Sequence, residues 1–437
     1  MPDKHLFGSS GIRTKISQEL LQTAFRVGLA IGNPQNSVIV ACDTRTSSEA
    51  MKHCILGGLL GAGAKVYDAG IVPTPTLAYA TRNFDIGVMI TASHNPPEYN
   101  GIKLWNSDGS AYHSAQRKEL ETVLKQKSAN LASWCEMGKC LPFIGATEEH
   151  IDRIARDFSS TLNAKVVVDC GCGTASMVTP HLLRAMGCEV LAISSHPSGF
   201  FPRDGEPNAD SLEQLSSLVR ATGSNIGIAH DGDADRMMVV DENGIFVSGD
   251  KLLVLLAQAL DCRSVITTVE TSMAIEEQGF SVVRTEVGDP FVSEQIKKDK
   301  ADFGGEPSGA WIFPSVSFCP DGIYAAAVAA KIAAEDKISA RVNSIQSYPL
   351  LRGSVHVDTS IIHKLEQELS MISKSNSSTK LSKIDGIRLS FEDGWLLVRP
   401  SGTEPKIRVT AEARNQERAD SIYNLGIQAI NRCMENC

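Results

Sequence analysis

Short, fully apolar runs recur along this sequence, and each ends in a loop of glycine and polar residues that leads into a helical stretch. Continuous apolar runs of this length are typical of strands covered on both faces, and their alternation with helices predicts a mostly parallel sheet. The pattern restarts near residues 148 and 249, which predicts three similar α/β segments. The clearest strand candidates are Val38–Ala41, Ile86–Ile90, Val166–Asp169 and Ile226–Ala229.

The end of the sequence has a different pattern. Short strands surround the segment Arg399–Arg408, and a closing helix is predicted from Gln416 to about Met434. This predicts a smaller α+β domain, and 437 residues are too many for one ordinary core. The predicted fold is therefore three α/β domains with mixed, mostly parallel sheets and a C-terminal α+β domain, with boundaries at 1–147, 148–248, 249–346 and 347–437.

The composition is that of a soluble globular protein, not of a membrane or nucleic-acid-binding one. Hydrophobic residues make up 42% and charged residues 21%, and the formal net charge of −9 argues against nucleic acid as a partner. We find no charged-then-apolar leader and no apolar run long enough for a bilayer, so a cytoplasmic location is expected. The 11 cysteines form no CxxC pair and are expected to be reduced, with Cys433 and Cys437 exposed.

The hexapeptide Thr91–Pro96 directly follows the apolar run Ile86–Ile90. Pro96 and Pro97 end regular structure there, so the Ser93 hydroxyl is presented where a strand meets a loop. Open α/β sheets place their ligands at such junctions, which makes Ser93 a candidate nucleophile, with His94 beside it. Taken alone, the same residues could also make an ordinary turn or helix cap.

Three carboxylates at alternate positions, Asp231-x-Asp233-x-Asp235, are costly to concentrate unless a cation neutralises them. An oxygen-only ligand set favours Mg²⁺ over zinc, and a phosphorylated Ser93 would add a further oxygen ligand. The alternatives are an acidic surface turn and an EF-hand loop with Glu242 at its twelfth position. The EF-hand requires glycine where Arg236 stands, and the flanking segments read as strands.

Other segments carry groups suited to phosphates and sugars. Arg13 closes a glycine- and serine-rich loop, and Lys103 is either a surface lysine or an acid/base group whose pKa its surroundings lower. The Glu306-x-Ser308 pair could contact sugar hydroxyls. A phosphate cradle is predicted in the cationic, hydroxyl-rich segment that contains Arg399, Ser401, Gly402, Thr403 and Arg408.

Together these segments resemble the α-D-phosphohexomutase family over nearly the whole chain. Its four signature loops correspond to Thr91–Pro96, Asp231–Arg236, Gly305–Gly309 and Arg399–Thr403. The resemblance implies four domains around a central cleft and one Mg²⁺ per chain, and it makes Ser93 the phosphoserine and a metal ligand. By the same resemblance, Asp231, Asp233 and Asp235 would bind the metal ion, and Lys103, Arg13 and Arg236 would be catalytic groups. Glu306 and Ser308 would contact the sugar. The phosphate that is not being transferred would be held by Arg399, Ser401, Gly402 and Thr403.

In that family the serine phosphate passes to a hexose monophosphate, and the hexose 1,6-bisphosphate intermediate turns round and returns its other phosphate. Within the family the sequence is most like archaeal-type phosphoglucosamine mutases, which implies interconversion of glucosamine 6-phosphate and glucosamine 1-phosphate by a monomer or homodimer. A phosphomannomutase/phosphoglucomutase is the alternative, and a phosphatase or a non-catalytic sugar-phosphate-binding protein is more remote. Ala310 stands where many relatives carry histidine, so that residue's role cannot be transferred.

Overall fold

The computed structural model describes residues 6–8, 11–126, 131–158, 160–375, 379–400 and 405–435. The chain divides into two compact units, one formed by residues 1–262 with 288–343 and the other by residues 263–287 with 344–437. Among the described residues, no helix has the length and apolar character needed to cross a membrane.

The first α/β segment has a six-stranded mixed sheet in the order β1-β5-β4-β2-β3-β6. Its parallel pairs are β2–β3, β2–β4 and β3–β6, while β5 runs antiparallel to β1 and β4. The elements are β1 Ile12–Lys15, α1 Gln18–Ile31, β2 Ser37–Cys42, α2 Ser48–Gly61, β3 Lys65–Ile71, α3 Thr74–Ala80, β4 Ile86–Ile90, β5 Tyr99–Asn106, α4 Ser114–Gln126 and β6 Lys139–Pro142.

The central strands of this sheet, β2 and β4, are almost completely buried. Every residue of β4 is buried, and β2 is buried from its second residue onward. Such strands are covered on both faces, here by helices that pack on the sheet, as the apolar runs predicted. Their carboxyl ends therefore meet at one edge, and the loops that follow β2 and β4 are neighbours there.

The second α/β segment repeats the arrangement with four strands in the order β10-β9-β7-β8. The strand β7 pairs in parallel with β8 and β9, and β10 returns antiparallel to β9. The loop between β9 and β10 is where the acidic triplet lies. The elements are α5 Ala146–Ala155, β7 Lys165–Asp169, α6 Thr179–Ala185, β8 Glu189–Ile193, α7 Glu213–Thr222, β9 Ile226–His230 and β10 Met237–Val240.

The third segment contributes elements to both compact units. The strands β11 and β12 pair in parallel, and β13 and β14 form an antiparallel pair whose turn contains Ser308. The elements are α8 Gly249–Ala259, β11 Ser264–Thr268, β12 Ser281–Thr285, α9 Asp289–Asp299, β13 Phe303–Glu306, β14 Ala310–Ile312, α10 Gly322–Glu335 and α11 Ile338–Ser344.

The last segment is an antiparallel sheet in the order β15-β19-β18-β17-β16, with helices packed on it. This is the predicted α+β character. The pairs β16–β17, β17–β18 and β18–β19 are hairpins, and β15 pairs with β19 from further back in the sequence. The predicted domain boundaries stay a prediction. The elements are β15 Leu350–His356, α12 Ile362–Ser375, β16 Lys380–Ser382, β17 Ile387–Ser390, β18 Gly394–Pro400, β19 Lys406–Ala413 and α13 Gln416–Glu435.

The cysteines of the described residues carry free thiols, in keeping with the prediction of reduced side chains. The expectation that Cys433 is exposed is wrong. It is only 6% exposed because α13 packs on the sheet through the face that carries this residue. Cys437 lies outside the described residues.

Candidate active site

Ser93 lies in the loop between β4 and β5 in a left-handed backbone conformation, with φ of +52°. A side chain other than glycine rarely adopts this region without support from its surroundings. The Ser93 N–H donates to Thr91 Oγ1 at 2.8 Å, and the Ser93 hydroxyl donates to Asp231 Oδ2 at 2.7 Å. The predicted nucleophile thus contacts the predicted metal loop, although 138 residues separate them.

The acidic triplet occupies the hairpin loop between β9 and β10. One carboxylate oxygen from each of Asp231, Asp233 and Asp235 can be chosen so that the three lie within 4.8 Å of one another, and all three residues are buried. Burial raises the pKa of Asp231, and the neighbouring Asp235 and Asp233 raise it further. Concentrated negative charge in a buried loop is the electrostatic signature of a cation site.

Lys103 reaches this loop from β5. Its Nζ lies 2.8 Å from Asp233 Oδ2 and 2.5 Å from Asp235 Oδ2. Burial alone would lower the pKa of Lys103, but Asp233 and Asp235 raise it above its ordinary value. Burial likewise would raise the pKa of Asp233, yet the ammonium of Lys103 lowers it. The expectation of a lysine with a lowered pKa is therefore wrong in this structure, because two carboxylates contact it directly.

Arg236 follows the acidic loop, and its Nη1 donates to Glu206 Oε1 at 2.7 Å. Arg13 lies on β1, in register with Gly101 of β5, and its Nε is buried without a hydrogen-bond partner in the described part of the chain. His94 has its Nδ1 3.3 Å from the Ser93 hydroxyl. Burial lowers the pKa of His94 to about 2, and the positive charges of Arg236 and Arg13 act in the same direction. The imidazole is therefore neutral.

Glu306 ends β13, and its Oε1 accepts a hydrogen bond from Gly288 N at 2.5 Å. Its other oxygen lies 3.4 Å from the Ser308 hydroxyl. An isolated bridge joins Arg236 to Ala310, which brings this turn against the acidic loop. Burial alone would lower the pKa of Arg236, but the carboxylates of Asp235, Asp231, Glu206 and Glu306 together raise it above its ordinary value. The predicted sugar loop and the predicted metal loop are therefore neighbours.

The predicted phosphate segment belongs to the second compact unit. Arg399, on β18, has its Nη1 2.8 Å from Asp385 Oδ2 and 3.1 Å from Glu270 Oε1. Arg408, on β19, stands opposite Arg399 in the antiparallel register and is exposed. Ser401, Gly402 and Thr403 lie outside the described residues, so the cradle formed by this segment stays a prediction.

Three contributors to this site were missed by sequence reasoning. Thr74 donates its hydroxyl to Asp233 Oδ2 at 2.5 Å, while Asp43 and Arg45 form a buried pair beneath the Ser93 loop. By its sequence pattern, the segment that follows β2 is one of the polar loops that lead from an apolar strand into a helix. The position of this segment could have indicated its role. It follows β2, which pairs with the strand before Ser93, and it carries an aspartate and an arginine two residues apart.

Family models match four successive parts of the chain. They describe phosphoglucomutase/phosphomannomutase alpha/beta/alpha domains I, II and III, at residues 4–131, 148–244 and 248–348, and the C-terminal domain of the same proteins at residues 327–424. The order of the four models is the order in which the sequence predicted three α/β domains and a C-terminal domain.

Named relatives align with almost the whole chain. A protein of Methanococcoides burtonii named as a probable phosphoglucosamine mutase is 45% identical over 98% of this chain and 99% of its own length. A protein of Pyrococcus furiosus with the same name is 40% identical over 98% of both chains.

Solved structures have the same fold. A phosphoglucomutase/phosphomannomutase family protein from Burkholderia thailandensis aligns with a TM-score of 0.87 at 26% identity, over 99% of this chain and 98% of its own. An N-acetylphosphoglucosamine mutase from Aspergillus fumigatus, solved in complex with GlcNAc-6P and magnesium, aligns with a TM-score of 0.61 at 16% identity, over 99% of this chain and 96% of its own.

The predicted fold class and family are confirmed by these matches and by the sheets described above. The Ser93 loop, the acidic loop and the Glu306 turn meet in one unit, in an arrangement that suits phosphoryl transfer. This chain is a phosphohexomutase, an isomerase, and it belongs to the phosphoglucomutase/phosphomannomutase family.

Proposed function

We propose that this enzyme interconverts glucosamine 6-phosphate and glucosamine 1-phosphate, with Ser93 as the residue that carries the phosphoryl group. One observation carries the assignment of Ser93. The Ser93 hydroxyl donates to Asp231, one of three converging buried carboxylates, and the other two contact Lys103. A hydroxyl held in this way is positioned to exchange a phosphoryl group within a charged, largely water-free site.

The three aspartates fit a divalent cation. Their oxygens converge, and Asp233 Oδ1 is buried without a hydrogen-bond partner among the described residues, which leaves it available as a ligand. Carboxylates with a phosphate oxygen are the ligands that Mg²⁺ takes in phosphoryl-transfer sites, so Asp231, Asp233, Asp235 and phosphorylated Ser93 would hold it. When bound, the metal ion would offset negative charge that develops on the transferring phosphoryl group.

The remaining groups of the site have proposed roles that follow from their chemistry. Lys103 is protonated beside the aspartates and would supply a proton to the oxygen that loses the phosphoryl group. Arg13 and Arg236 would bind phosphoryl oxygens, since a guanidinium matches their geometry. His94, whose Nδ1 lies 3.3 Å from the Ser93 hydroxyl, would orient that hydroxyl.

The two ends of the sugar need separate recognition. Glu306 can accept from sugar hydroxyls and Ser308 can donate to them, and this turn lies against the acidic loop. The phosphate that is not being transferred would bind the segment with Arg399, Ser401, Gly402, Thr403 and Arg408. Two arginines face each other across the hairpin that carries this segment, which supports an anion site there.

The choice of hexose rests on similarity. Relatives that are 40–45% identical over nearly the whole chain are named as probable phosphoglucosamine mutases, which supports glucosamine phosphates as substrates. The family models name phosphoglucomutase and phosphomannomutase, so glucose and mannose phosphates are the second candidates. Either substrate would use Ser93 and the acidic loop in the same way.

The test compares the three sugars directly. The purified enzyme with Mg²⁺ and a trace of the matching hexose 1,6-bisphosphate is given the 1-phosphate of glucosamine, glucose or mannose. Appearance of each 6-phosphate is followed by ³¹P NMR. We expect the highest kcat/KM for glucosamine 1-phosphate. A higher kcat/KM for glucose or mannose 1-phosphate would reject the glucosamine assignment, and inorganic phosphate as the only product would reject a mutase.

A further inference from the structure

We propose that Arg45 is a positioning residue for phosphoryl transfer, since its guanidinium holds the loop that aims the Ser93 hydroxyl at Asp231. The inference rests on the proposed role of Ser93 as the phosphoryl carrier. In the described part of the chain, the Arg45 side chain contacts Ser93 only at its main-chain carbonyl and not at the hydroxyl assigned to the phosphoryl group. Its effect on the reaction would come entirely through the main chain of the Ser93 loop.

Arg45 makes an unusual number of contacts with one loop. Its Nη2 donates to the main-chain carbonyls of Ser93 and Asn95, both at 2.7 Å. Its Nη1 donates to the carbonyls of Pro96 at 2.7 Å and Tyr99 at 3.0 Å. One side chain therefore fixes three carbonyls of the connection between β4 and β5 and the carbonyl of Tyr99, the first residue of β5. An arginine fork has enough fixed donors for this, whereas a lysine ammonium has three donors on one atom.

The guanidinium of Arg45 is oriented by an ion pair with Asp43. Arg45 Nε lies 3.0 Å from Asp43 Oδ2, and the two residues are 3% and 1% exposed. The same carboxylate accepts the Thr91 hydroxyl at 2.7 Å, and Thr91 Oγ1 in turn accepts Ser93 N–H at 2.8 Å. Arg45 and Asp43 thus reach Ser93 by two routes, one through its carbonyl and one through its N–H.

Residues of the second α/β segment pack on the other side of Arg45 and the Ser93 loop. The ring of Phe201 lies 5.0 Å from the Arg45 guanidinium carbon, within the range of a cation–π contact. Gly205 and Gly232 pack so closely on the carbonyls of His94 and Ser93 that a Cβ at either position would collide with them. The loop is therefore packed between Arg45 and the glycines of the neighbouring segment.

This support matters because Ser93 is in a conformation that it would not hold alone. Its φ of +52° is unfavourable for serine, so the loop relaxes when the contacts that impose this conformation are removed. A shift of about 1 Å at a reacting atom lowers a rate by about two orders of magnitude. Weakening the Arg45 contacts should therefore slow transfer and leave sugar binding unchanged.

The experiment is Arg45→Lys, which keeps the positive charge and removes the fork. Phosphorylation of Ser93 is followed in single-turnover mixtures of the Mg²⁺-loaded enzyme with hexose 1,6-bisphosphate, by rapid quench and intact-protein mass spectrometry. We expect the rate constant to fall by about 10- to 100-fold, with the final extent per molecule and the KM for the hexose phosphate unchanged. A partly unfolded population would instead lower the final extent and leave the rate constant of the remainder unchanged.

Arg153→Lys is the matched control. Arg153 also joins a carboxylate, Asp157, to a main-chain carbonyl, that of Ser315, and these hydrogen-bond and ion-pair partners in the described chain lie outside the site. We expect its phosphorylation rate to stay within twofold of wild type. An Arg45→Lys enzyme that is phosphorylated at the wild-type rate, or that loses only final extent, would overturn the proposal.

Thr91→Val provides the second test should Arg45→Lys fail to fold. It removes the hydroxyl that links Asp43 to Ser93 N–H and changes the shape of the side chain little. We expect a slower phosphorylation rate at full final extent, and a wild-type rate would overturn the proposal. A wild-type enzyme that never becomes phosphorylated would reject the proposed function itself, whereas normal wild-type phosphorylation with unaffected variants would reject only the role of Arg45.

Discussion

At the scale of single residues, the main feature of the site is the negative charge of three buried carboxylates. Asp231, Asp233 and Asp235 are nearly inaccessible to water, and within the described residues Lys103 is the ammonium that contacts two of them. A buried charge is stable only when a partner compensates it. Lys103 therefore has a structural role in addition to the acid/base role proposed for it, because it holds the acidic loop together when no metal ion is bound.

Replacing Lys103 by methionine tests this role. The Lys103→Met enzyme should lose about 3 kcal/mol of unfolding free energy in the presence of a chelator, because two buried carboxylates lose their direct cationic partner. Saturating Mg²⁺ should recover part of the loss, since a bound cation stabilises the folded state that binds it. Urea unfolding followed by circular dichroism measures both values.

Lys297→Met is the control for this measurement. Lys297 also pairs with a carboxylate, that of Asp108, but both side chains are partly exposed. Exposed pairs contribute less than about 1 kcal/mol, so this variant should unfold close to wild type with or without Mg²⁺. Unfolding of Lys103→Met at the wild-type urea concentration would show that the carboxylates do not need the lysine.

Residue-scale chemistry was only partly predictable from the sequence. Spacing indicated that Asp231, Asp233 and Asp235 act together, because alternate acids after an apolar strand converge in one loop. The pKa of Lys103 was predicted with the wrong sign, since the sequence does not show which carboxylates its ammonium meets. Arg45 was missed for a related reason, because four of its five side-chain hydrogen bonds go to main-chain carbonyls, which the sequence does not reveal.

At the scale of elements, α10 is fixed by a buried hydrogen-bond chain at its first turn. Asp321 caps the helix by accepting from Ile323 N and Tyr324 N, and its other oxygen lies 2.9 Å from His150 Nε2. A carboxylate only accepts, so this ring nitrogen carries a proton. His150 Nδ1 lies 3.0 Å from the Thr76 hydroxyl, which links α10 through α5 to α3.

The cap gives a stability prediction. Asp321→Ala should lower the unfolding free energy by about 2 to 4 kcal/mol, the sum of a lost N-cap and a buried His150 N–H left without its acceptor. Thermal and urea unfolding of the full chain provide the measurement. A matched variant is Asp336→Ala at the exposed opposite end of α10, which should cost less than about 1 kcal/mol. Equal losses in both variants would contradict this account of Asp321.

Elements were predictable where they are apolar and long. The strand Ile86–Ile90 was predicted with the observed bounds, and the closing helix predicted from Gln416 to about Met434 is α13, Gln416–Glu435. The strand β6 was not predicted, because all four of its residues are exposed and it has no apolar pattern. The short strands β13 and β14 flank a glycine-rich turn and likewise gave no periodic signal.

At the scale of the whole molecule, sequence order and spatial order differ. Ser93, Asp231 and Glu306 are far apart in the sequence, yet the first compact unit brings their loops together. The alternation of strands and helices predicted the layers of each segment, but the pairing between segments depends on contacts that no local pattern encodes. From the sequence, the prediction that these segments surround one site came from the resemblance to a family.

The second compact unit shows the same limit. Its core packs Trp395 and Leu397 of β18 against Val269, a residue from the segment 263–287. The segment is also attached by a hydrogen bond from Met273 N to Glu412 Oε2. The sequence predicted a C-terminal domain from residue 347 onward, and nothing in its composition pointed to a contribution from so far upstream.

The central claim is that Ser93 carries the phosphoryl group during turnover, and peptide mapping by mass spectrometry tests it most directly. The Mg²⁺-loaded enzyme is incubated with hexose 1,6-bisphosphate, freed of it, and then given glucosamine 1-phosphate. We predict one phosphoryl group on the peptide that contains Ser93, its loss to the sugar phosphate in the second step, and neither event in Ser93→Ala. Phosphorylation at another residue, or undiminished mutase activity in Ser93→Ala, would contradict the account.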